Sequence, residues 1–472
     1  MTNNDNDNDN DNDNLITFVM YYSLFHKQFI SNESDIIKTL PKNAFGIFST
    51  VRRARKVKSY PIDIHGCIGY WDNNFTSLNK STLYNNLLRV AYDSVWTDTR
   101  NKYFTPIETD PDTAFELDFM LNPIYNIHKN TGIIAGLNTP FRNKTFGIII
   151  QTKDKSQKAT YLPGVFSTIS WDNMIVSLKS KANITSNDFQ LFAYKITQIK
   201  STFVSILTNE IFTYNCIFNF SRLLIDNMKL TLPFPFIYAC KNNILEWNNA
   251  DDVRNISTLS DVFKYINLYP DIATNTEFKN VKQKIFNILQ NIDQYSSQSL
   301  SFLGYIYKAF NIKNAFFCEK LLHDLPFSEN DFEKPKIIIG LHAAGCLVNE
   351  KQHPLTYYPS DSIFKMNWII HTLVSFNKKP SRKLVIILEN KIDELLSNKK
   401  NTETNFIAVA FEALCLVNKM YNKTHLLHKI FELFFELEQR KNSCNVLYTF
   451  LDKTSRVDIT GHIINGFVEL ML

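Results

Sequence analysis

The chain lacks the short motifs that mark the common enzyme mechanisms. Its 472 residues include only 12 Gly, and none of these forms a glycine-rich phosphate-binding loop. The sequence also lacks a His-Glu-x-x-His zinc motif, a Gly-x-Ser-x-Gly nucleophile turn and a kinase signature. It therefore does not support nucleotide-binding, zinc-peptidase or serine-hydrolase chemistry. No cofactor is identified, and we predict no metal site.

Cysteine is scarce and shows no pairing pattern. There are seven Cys and no Cys-x-x-Cys pair. Cys318, Cys346 and Cys415 each lie within an apolar run, which predicts reduced and buried thiols. Because reduced thiols are typical of intracellular compartments, we expect a cytoplasmic or nuclear protein.

Long apolar runs and a strong charge are also missing. The apolar runs are shorter than the roughly 20 residues that cross a bilayer. The net charge is +5 and the isoelectric point about 8.6, below the value of about 9 that marks nucleic-acid-binding domains. We therefore favour neither a membrane nor a nucleic-acid partner, and a small-molecule ligand or a protein partner remains.

The sequence divides into segments of different pattern. Residues 1–14 are almost entirely Asn and Asp, which predicts a disordered tail. Residues 15–200 mix short β-rich runs with helical periodicity, which indicates an α+β domain. After a connecting segment, 201–235, residues 236–472 repeat helical periods between polar loops. We predict an all-α array there, an α/α toroid or a solenoid.

Within residues 15–200, one segment resembles a family signature. Ile64-His65-Gly66-Cys67-Ile68-Gly69 resembles the Leu-Arg-Gly-Cys-Ile-Gly motif of the AMMECR family. Blocks in the family's order follow it, namely Asp98-Thr99-Arg100, Phe104-Thr105-Pro106-Ile107, Phe115-Glu116-Leu117-Asp118, Phe146-Gly147-Ile148-Ile149-Ile150 and Ala159-Thr160-Tyr161-Leu162-Pro163-Gly164-Val165. The resemblance implies a fold of two α/β subdomains with a groove near the Cys. Two family residues are replaced here, an Arg by His65 and a Glu by Gly164.

The motif supplies the first candidate site. On a regular strand, His65 and Cys67 would point to the same face, and an imidazole beside a thiol can activate the thiolate. We therefore predict both as catalytic, the alternative being a Cys packed in the sheet core with His65 at its rim. The predicted ligand-binding residues are Gly66, Gly69, Arg100, Tyr161 and Pro163.

The helical part supplies a second set of candidates. Glu412 lies in an apolar run and needs a partner if it is buried. Arg456, Asp458 and His462 lie together just before the last predicted helix. They are candidates for a binding or acid/base site with Glu412, the alternative being that Asp458 only caps that helix.

Three functions follow from these candidates. The first is binding or thiol-dependent modification of a small molecule or side chain in a groove at Cys67 and His65. The second is a non-enzymatic scaffold whose helical domain contacts a protein partner. The third is a toroid enzyme acting on a glycan or peptide.

Overall fold

Internal contacts divide the chain into two compact units. The computed structural model describes residues 5–27, 33–54, 63–165, 169–210, 212–214, 235–241, 244–268, 275–309, 315–325, 333–346, 362–441 and 455–471. Unit 1 is Met1–Asn209 and unit 2 is Glu210–Leu472.

The first helix extends into the segment that we predicted to be disordered. Helix α1 spans Asp5–Phe25, so only residues 1–4 of the expected tail lie outside the described residues. A physical reason is that aspartates at a helix N-terminus interact favourably with the helix dipole. The apolar half of α1, which includes buried Val19 and Met20, is anchored against α3 (Lys80–Trp96). A short helix, α2 (Glu33–Thr39), follows α1.

An antiparallel sheet of six strands forms the centre of unit 1. Its strands lie in the order β2, β1, β3, β8, β6, β7. They span β1 (Ala44–Arg52), β2 (Ile64–Trp71), β3 (Ala114–Asn126), β6 (Gly147–Thr152), β7 (Lys158–Tyr161) and β8 (Phe189–Thr202). The strands β4 (Ile133–Ile134) and β5 (Thr139–Pro140) form a separate hairpin, and Thr99–Tyr103, Ile107–Thr109 and Phe203–Thr208 are 3-10 helices.

Helices cover opposite ends of this sheet. Helix α3 packs on β1 and β2, and α4 (Trp171–Ala182) packs on β6 and β7. A core of large side chains on the sheet contacts Cys67 and Leu162, and it contains Phe45, Phe48, Met120, Ile149, Phe192 and Tyr194. The predicted α+β fold is confirmed, and this core brings the segment after β7 close to the cysteine of β2.

Unit 2 is built mainly from helices. Those in the described residues are α5 (Asp252–Leu268), α6 (Asn275–Gln290), α7 (Ser297–Ser301), α8 (Gly304–Ala309), α9 (Ala315–Asp324), α10 (Glu333–Ala344), α11 (Ile363–Ser375), α12 (Arg382–Ser397), α13 (Thr404–Tyr421), α14 (Thr424–Gln439) and α15 (Val457–Met471). Ile292–Gln294 is a 3-10 helix. Helix α13 is buried along most of its length and packs on α11, α12, α14 and α15, while α15 also packs on α5. The predicted helical region is confirmed, and the choice between toroid and solenoid stays a prediction.

Unit 2 is nevertheless not all helical. Strands β9 (Pro235–Lys241) and β10 (Ile244–Ala250) form a hairpin, and β11 (Ser455–Arg456) pairs with β9. The region from residue 236, which we predicted to be helical, therefore begins with a hairpin before its first described helix. The β-branched and aromatic residues of these two short runs favour strands, and the close spacing of the runs allows a hairpin.

The thiol prediction also needs a correction. Cys318 and Cys346 form a disulfide, with their Cα atoms 6.0 Å apart. The apolar runs around them suggested burial, but sequence could not show that α9 and the end of α10 bring the two residues together. For Cys415, which is free and buried, the prediction is confirmed.

Candidate functional site

A β-bulge in the predicted motif separates the two residues expected to form a catalytic pair. In the β1–β2 pairing, Val51 lies opposite Gly66 but Arg52 lies opposite Ile64, so His65 is the extra residue. A bulge breaks the side-chain alternation of a strand and redirects the residue at the bulge. The alternation that would place His65 and Cys67 on one face therefore does not apply.

His65 points towards the end of α3. Its Nε2 lies 3.0 Å from the carbonyl oxygen of Val95, and its ring contacts that of Phe104. Burial lowers the pKa of His65 to about 4, although the hydrogen bond to Val95 opposes this shift. Among the described residues, no hydrogen bond joins the imidazole to the thiol of Cys67. A neutral imidazole turned away from the sulfur is not placed to act as its base.

Cys67 lies on the other face and is partly exposed. Its sulfur accepts a hydrogen bond from Thr50 Oγ1 at 3.2 Å, and its side chain packs against the core that contains Phe48. Burial and the charge of Asp118 raise the pKa of the thiol, while the hydrogen bond from Thr50 and the charges of Arg100 and Lys181 lower it. Because the net shift is upwards, the thiol is largely protonated at neutral pH.

Asp98 fixes Arg100 next to the motif. Its carboxylate accepts hydrogen bonds from the backbone N–H of Cys67 and of Arg100, each at 3.0 Å, and binds the Arg100 guanidinium. Arg100 Nη2 also donates to the carbonyl oxygen of Cys67 at 3.2 Å. Burial would raise the pKa of Asp98, but the hydrogen bonds from Arg100 and Cys67 lower it. The predicted ligand residue Arg100 therefore lies beside Cys67.

Lys181 is a cation near Cys67 that our sequence reasoning did not single out as a site residue. Its Nζ donates to the carbonyl oxygen of Thr160 at 2.9 Å and lies 4.7 Å from the ring centre of Tyr161. Burial lowers the pKa of Lys181, the charge of Cys67 raises it, and that of Arg100 lowers it. Lys181 lies in the last turn of α4, and sequence alone does not show that this helix brings it near Cys67.

The other predicted ligand-binding residues contact neighbouring residues of the same domain. Tyr161 hydrogen-bonds through its hydroxyl to Ser177 Oγ at 2.7 Å, and Pro163 lies in the turn that follows β7. A Cβ on Gly66 would lie 1.9 Å from the Ser94 carbonyl oxygen of α3, and one on Gly69 would lie 2.2 Å from the Phe48 ring. Both glycines thus allow close packing of the sheet, and neither is placed by these contacts at a ligand.

The model of the AMMECR1 family matches residues 19–203. This part of the chain is an AMMECR1 domain. Among curated proteins, no relative matches the chain. The match covers the sheet, α3, α4 and the Cys67 region, and it ends before unit 2. It identifies the domain without assigning an activity to it.

A cavity in the AMMECR1 domain is lined by other residues than these. It has a volume of about 310 Å³ and includes Arg142, Lys144 and Trp171 in its lining. None of the residues that we predicted from the sequence lines it. We therefore place the candidate site of this domain at Cys67.

Outside the AMMECR1 domain, unit 2 brings two of the predicted residues together. Glu412, on α13, is buried, and its Oε2 lies 2.7 Å from Nδ1 of His462 on α15. Three further side chains surround the carboxylate: His371 at 2.9 Å, Asn367 at 2.8 Å and Asn465. These three come from α11 and α15 and were missed, because sequence alone does not show which faces of distant helices meet.

Glu412 and His462 each stabilise the charged form of the other. Burial would raise the pKa of Glu412, but His371 and His462 hold it well below its usual value. Burial would lower the pKa of His462, but the charge and hydrogen bond of Glu412 raise it. The carboxylate therefore remains ionised and orients the imidazole.

The other two predicted residues of unit 2 are Asp458 and Arg456. Asp458 forms an ion pair with Arg254, 3.3 Å between Oδ2 and Nε, although its charge also raises the pKa of His462. Arg456 lies in β11 opposite Ile237, and its side chain is outside the described residues. The structure thus joins Glu412 to His462, and a single site that includes Arg456 stays a prediction.

Two general features of the described chain concern its partners. None of the helices that the structure describes combines the length and apolarity that a membrane crossing requires. Within the same residues, no group of three or more His, Cys, Asp or Glu side chains is arranged to hold a metal ion.

Proposed function

We propose that the AMMECR1 domain binds a small molecule with an anionic group, such as a carboxylate or phosphate, at the face where Cys67 lies. Arg100 and Lys181 provide the positive charge, and the thiol of Cys67 contacts the ligand without forming a bond to it. The observation that supports this function is that Arg100 Nη2 donates to the carbonyl oxygen of Cys67 at 3.2 Å, while Lys181, whose charge lowers the pKa of the same thiol, donates to the backbone of Thr160.

The charge balance at the site favours an anion. Arg100 is already paired with Asp98, but Lys181 has no carboxylate partner among the described side chains. Its contacts are the backbone carbonyl of Thr160 and the face of Tyr161. An anion beside Lys181 and Arg100 would therefore meet the charge of Lys181, opposed in part by that of Asp118, and its binding should weaken with salt.

Binding is better supported than thiol-dependent modification. A cysteine nucleophile needs a lowered pKa or an adjacent base. Here the pKa of Cys67 is raised, and His65 is hydrogen-bonded to Val95 instead of the sulfur. The two predicted catalytic residues do not form the expected pair, so we assign Cys67 a ligand contact and His65 a packing role.

The two alternatives in the helical unit are less well supported. A scaffold that only contacts a protein partner would not need the small cavity that lies at Glu412 and His462. A toroid enzyme acting on a glycan or peptide stays a prediction; of its candidate residues, Asp458 pairs with Arg254, and the side chain of Arg456 lies outside the described residues. A protein partner for unit 2 stays a prediction, as does a cytoplasmic or nuclear location, against which the Cys318–Cys346 disulfide counts.

Protection of Cys67 from alkylation tests the proposed function. We would treat the full chain with iodoacetamide and follow the Cys67 peptide by mass spectrometry, with about 20 mM succinate or its uncharged analogue succinamide present. Succinate is expected to slow the alkylation and succinamide to leave it unchanged, because only succinate carries the recognised charge.

A matched pair of variants completes this experiment. Lys181→Gln should abolish the protection by succinate, whereas Lys179→Gln should retain it. Lys179 lies on the same helix but donates to Asn187 Oδ1, 3.0 Å away. Equal protection by succinate and succinamide, or protection that survives Lys181→Gln, would contradict the proposal.

A further inference from the structure

We propose that unit 2 holds a second ligand site, a small cavity at His462 and Asn465 that binds a compact, uncharged molecule bearing hydroxyl groups. This site is separate from the Cys67 site and does not depend on the function proposed for the AMMECR1 domain. Its cavity has a volume of about 80 Å³, and Ser257, Asp261, Lys264, Lys336, His371 and Glu412 are among the other lining residues.

The size of the cavity limits the ligand. Drug-sized ligands occupy pockets of roughly 300 to 1,000 Å³, and a cavity of about 150 Å³ holds a benzene molecule. The volume of about 80 Å³ at His462 is smaller than either. A molecule of three carbon atoms, such as glycerol, is therefore the largest kind that we expect it to enclose.

The charges of the lining compensate one another. Its carboxylates are Asp261 and Glu412, and its ammonium groups are Lys264 and Lys336. Asp261 lies 3.4 Å from Lys264, and the Nζ of Lys336 lies 4.8 Å from the ring centre of Trp368. The two carboxylates and the two ammonium groups balance, so apart from the charge of His462 while that ring is protonated, an ion gains little from entering, whereas an uncharged polar molecule is not penalised.

An unpaired acceptor points to a ligand that donates a hydrogen bond. Asn465 is 3% exposed, and its Oδ1 has no hydrogen-bond partner among the described residues. Its orientation is fixed, because its Nδ2 donates to Oε1 of Glu412, which can only accept. A buried acceptor without a partner costs roughly 1 to 3 kcal/mol. A hydroxyl group in the cavity would supply the missing donor.

His462 supplies a second atom that can form a hydrogen bond with a hydroxyl group of the ligand. His462 uses Nδ1 for Glu412, and its Nε2 makes no hydrogen bond within the described part of the chain. Since the carboxylate of Glu412 holds the proton on Nδ1, the neutral ring presents Nε2 as an acceptor. Burial would lower the pKa of His462 and Glu412 raises it, so the ring can also donate when it is protonated. A hydroxyl both donates and accepts, which matches Nε2 and Asn465 Oδ1 together.

Acylation of histidine by diethyl pyrocarbonate tests this site on the full chain. The reagent modifies neutral imidazoles, so we would work near pH 8 and measure the His462 peptide by mass spectrometry, with glycerol at about 50 mM. Glycerol is expected to slow modification of His462 by about twofold or more, and neither phosphate nor the larger polyol xylitol should do so.

His425 provides a matched internal control. It also pairs with a glutamate, Glu389 at 3.1 Å, but its side chain is 57% exposed. Glycerol should leave modification of His425 unchanged. Equal slowing at His462 and His425, protection by phosphate instead of glycerol, or no protection at all would overturn the proposal.

Two variants separate binding from misfolding. Asn465→Leu removes the unpaired acceptor and should abolish protection by glycerol. Ala343→Met fills the cavity without removing a hydrogen bond of the Glu412 cluster, because Ala343 only lines it. Saturation-transfer NMR should show glycerol bound to the unaltered chain and not to Ala343→Met, with both showing the same cooperative thermal unfolding. A glycerol signal that persists in Ala343→Met would contradict the proposed cavity.

Discussion

Glu412 and His462 are separated by 50 positions in the sequence, yet Oε2 of the first lies 2.7 Å from Nδ1 of the second. The contact joins α13 to α15 in the interior of unit 2. It links a carboxylate whose pKa is lowered to an imidazole whose pKa is raised. The stability of unit 2 should therefore depend on pH in a defined range.

We predict that replacing Glu412 by Gln lowers the stability of unit 2 by about 3 kcal/mol, as expected when one partner of a buried ion pair is lost. Because the pKa of His462 is raised in the folded state, this residue contributes stability at pH values below its unfolded-state pKa of about 6.5. That contribution is lost as pH rises through the folded-state pKa. Because the pKa of Glu412 is lowered in the folded state, this residue contributes stability at pH values above its unfolded-state pKa of about 4.3. That contribution is lost as pH falls through the folded-state pKa.

Thermal unfolding between pH 5 and pH 9 measures this effect. The unaltered chain should lose stability relative to Glu412→Gln as pH rises above about 6.5, because the two curves converge once His462 is neutral. A constant difference between the curves across that range would show that His462 does not change its charge there.

A second prediction concerns the reactivity of Cys67. Because burial raises the pKa of the thiol, iodoacetamide should alkylate it more slowly at pH 7.5 than it alkylates an unfolded cysteine peptide. His65→Gln should change this rate by less than about twofold, since the imidazole does not contact the sulfur. A tenfold slower reaction in His65→Gln would instead identify His65 as the base.

A third prediction concerns Asp98, which joins the motif strand to Arg100. Asp98→Asn removes a charged acceptor that receives hydrogen bonds from Cys67 and Arg100, so we expect a loss of about 2 kcal/mol. Because Arg100 then lacks the carboxylate of Asp98 as a partner, its side chain should also become more mobile. Denaturant unfolding measures the first effect, and an unchanged midpoint would show that Asp98 does not hold this region together.

A fourth prediction concerns the packing of Gly66. Gly66→Ala would place a Cβ 1.9 Å from the Ser94 carbonyl oxygen, and we expect a loss of at least about 2 kcal/mol. Gly136→Ala is the control: its Cβ would meet nothing within 4 Å, although the φ of 84° makes it strained. Should both variants unfold at the same denaturant concentration, contact with α3 is not the reason for glycine at position 66.

The sequence was sufficient for the fold class and for part of each site. Family-like blocks located the α+β domain, and a buried acid in an apolar helix signalled that Glu412 needs a partner. Strand alternation failed at His65, because a bulge depends on the pairing with β1 and leaves no local sequence signal. The roles of His371 and Asn465 depend on which helix faces meet, and the Cys318–Cys346 disulfide has the same origin.

The positive charge at Cys67 is the central claim for the AMMECR1 domain. The ratio of its alkylation rates by iodoacetate, an anion, and by iodoacetamide, which is neutral, measures that charge directly. Relative to an unfolded Cys67 peptide, we predict a ratio raised by about threefold or more at low salt, falling in Lys181→Gln and unchanged in Lys179→Gln. A ratio no higher than that of the peptide, or one that Lys181→Gln leaves unaltered, would contradict the proposed anion site.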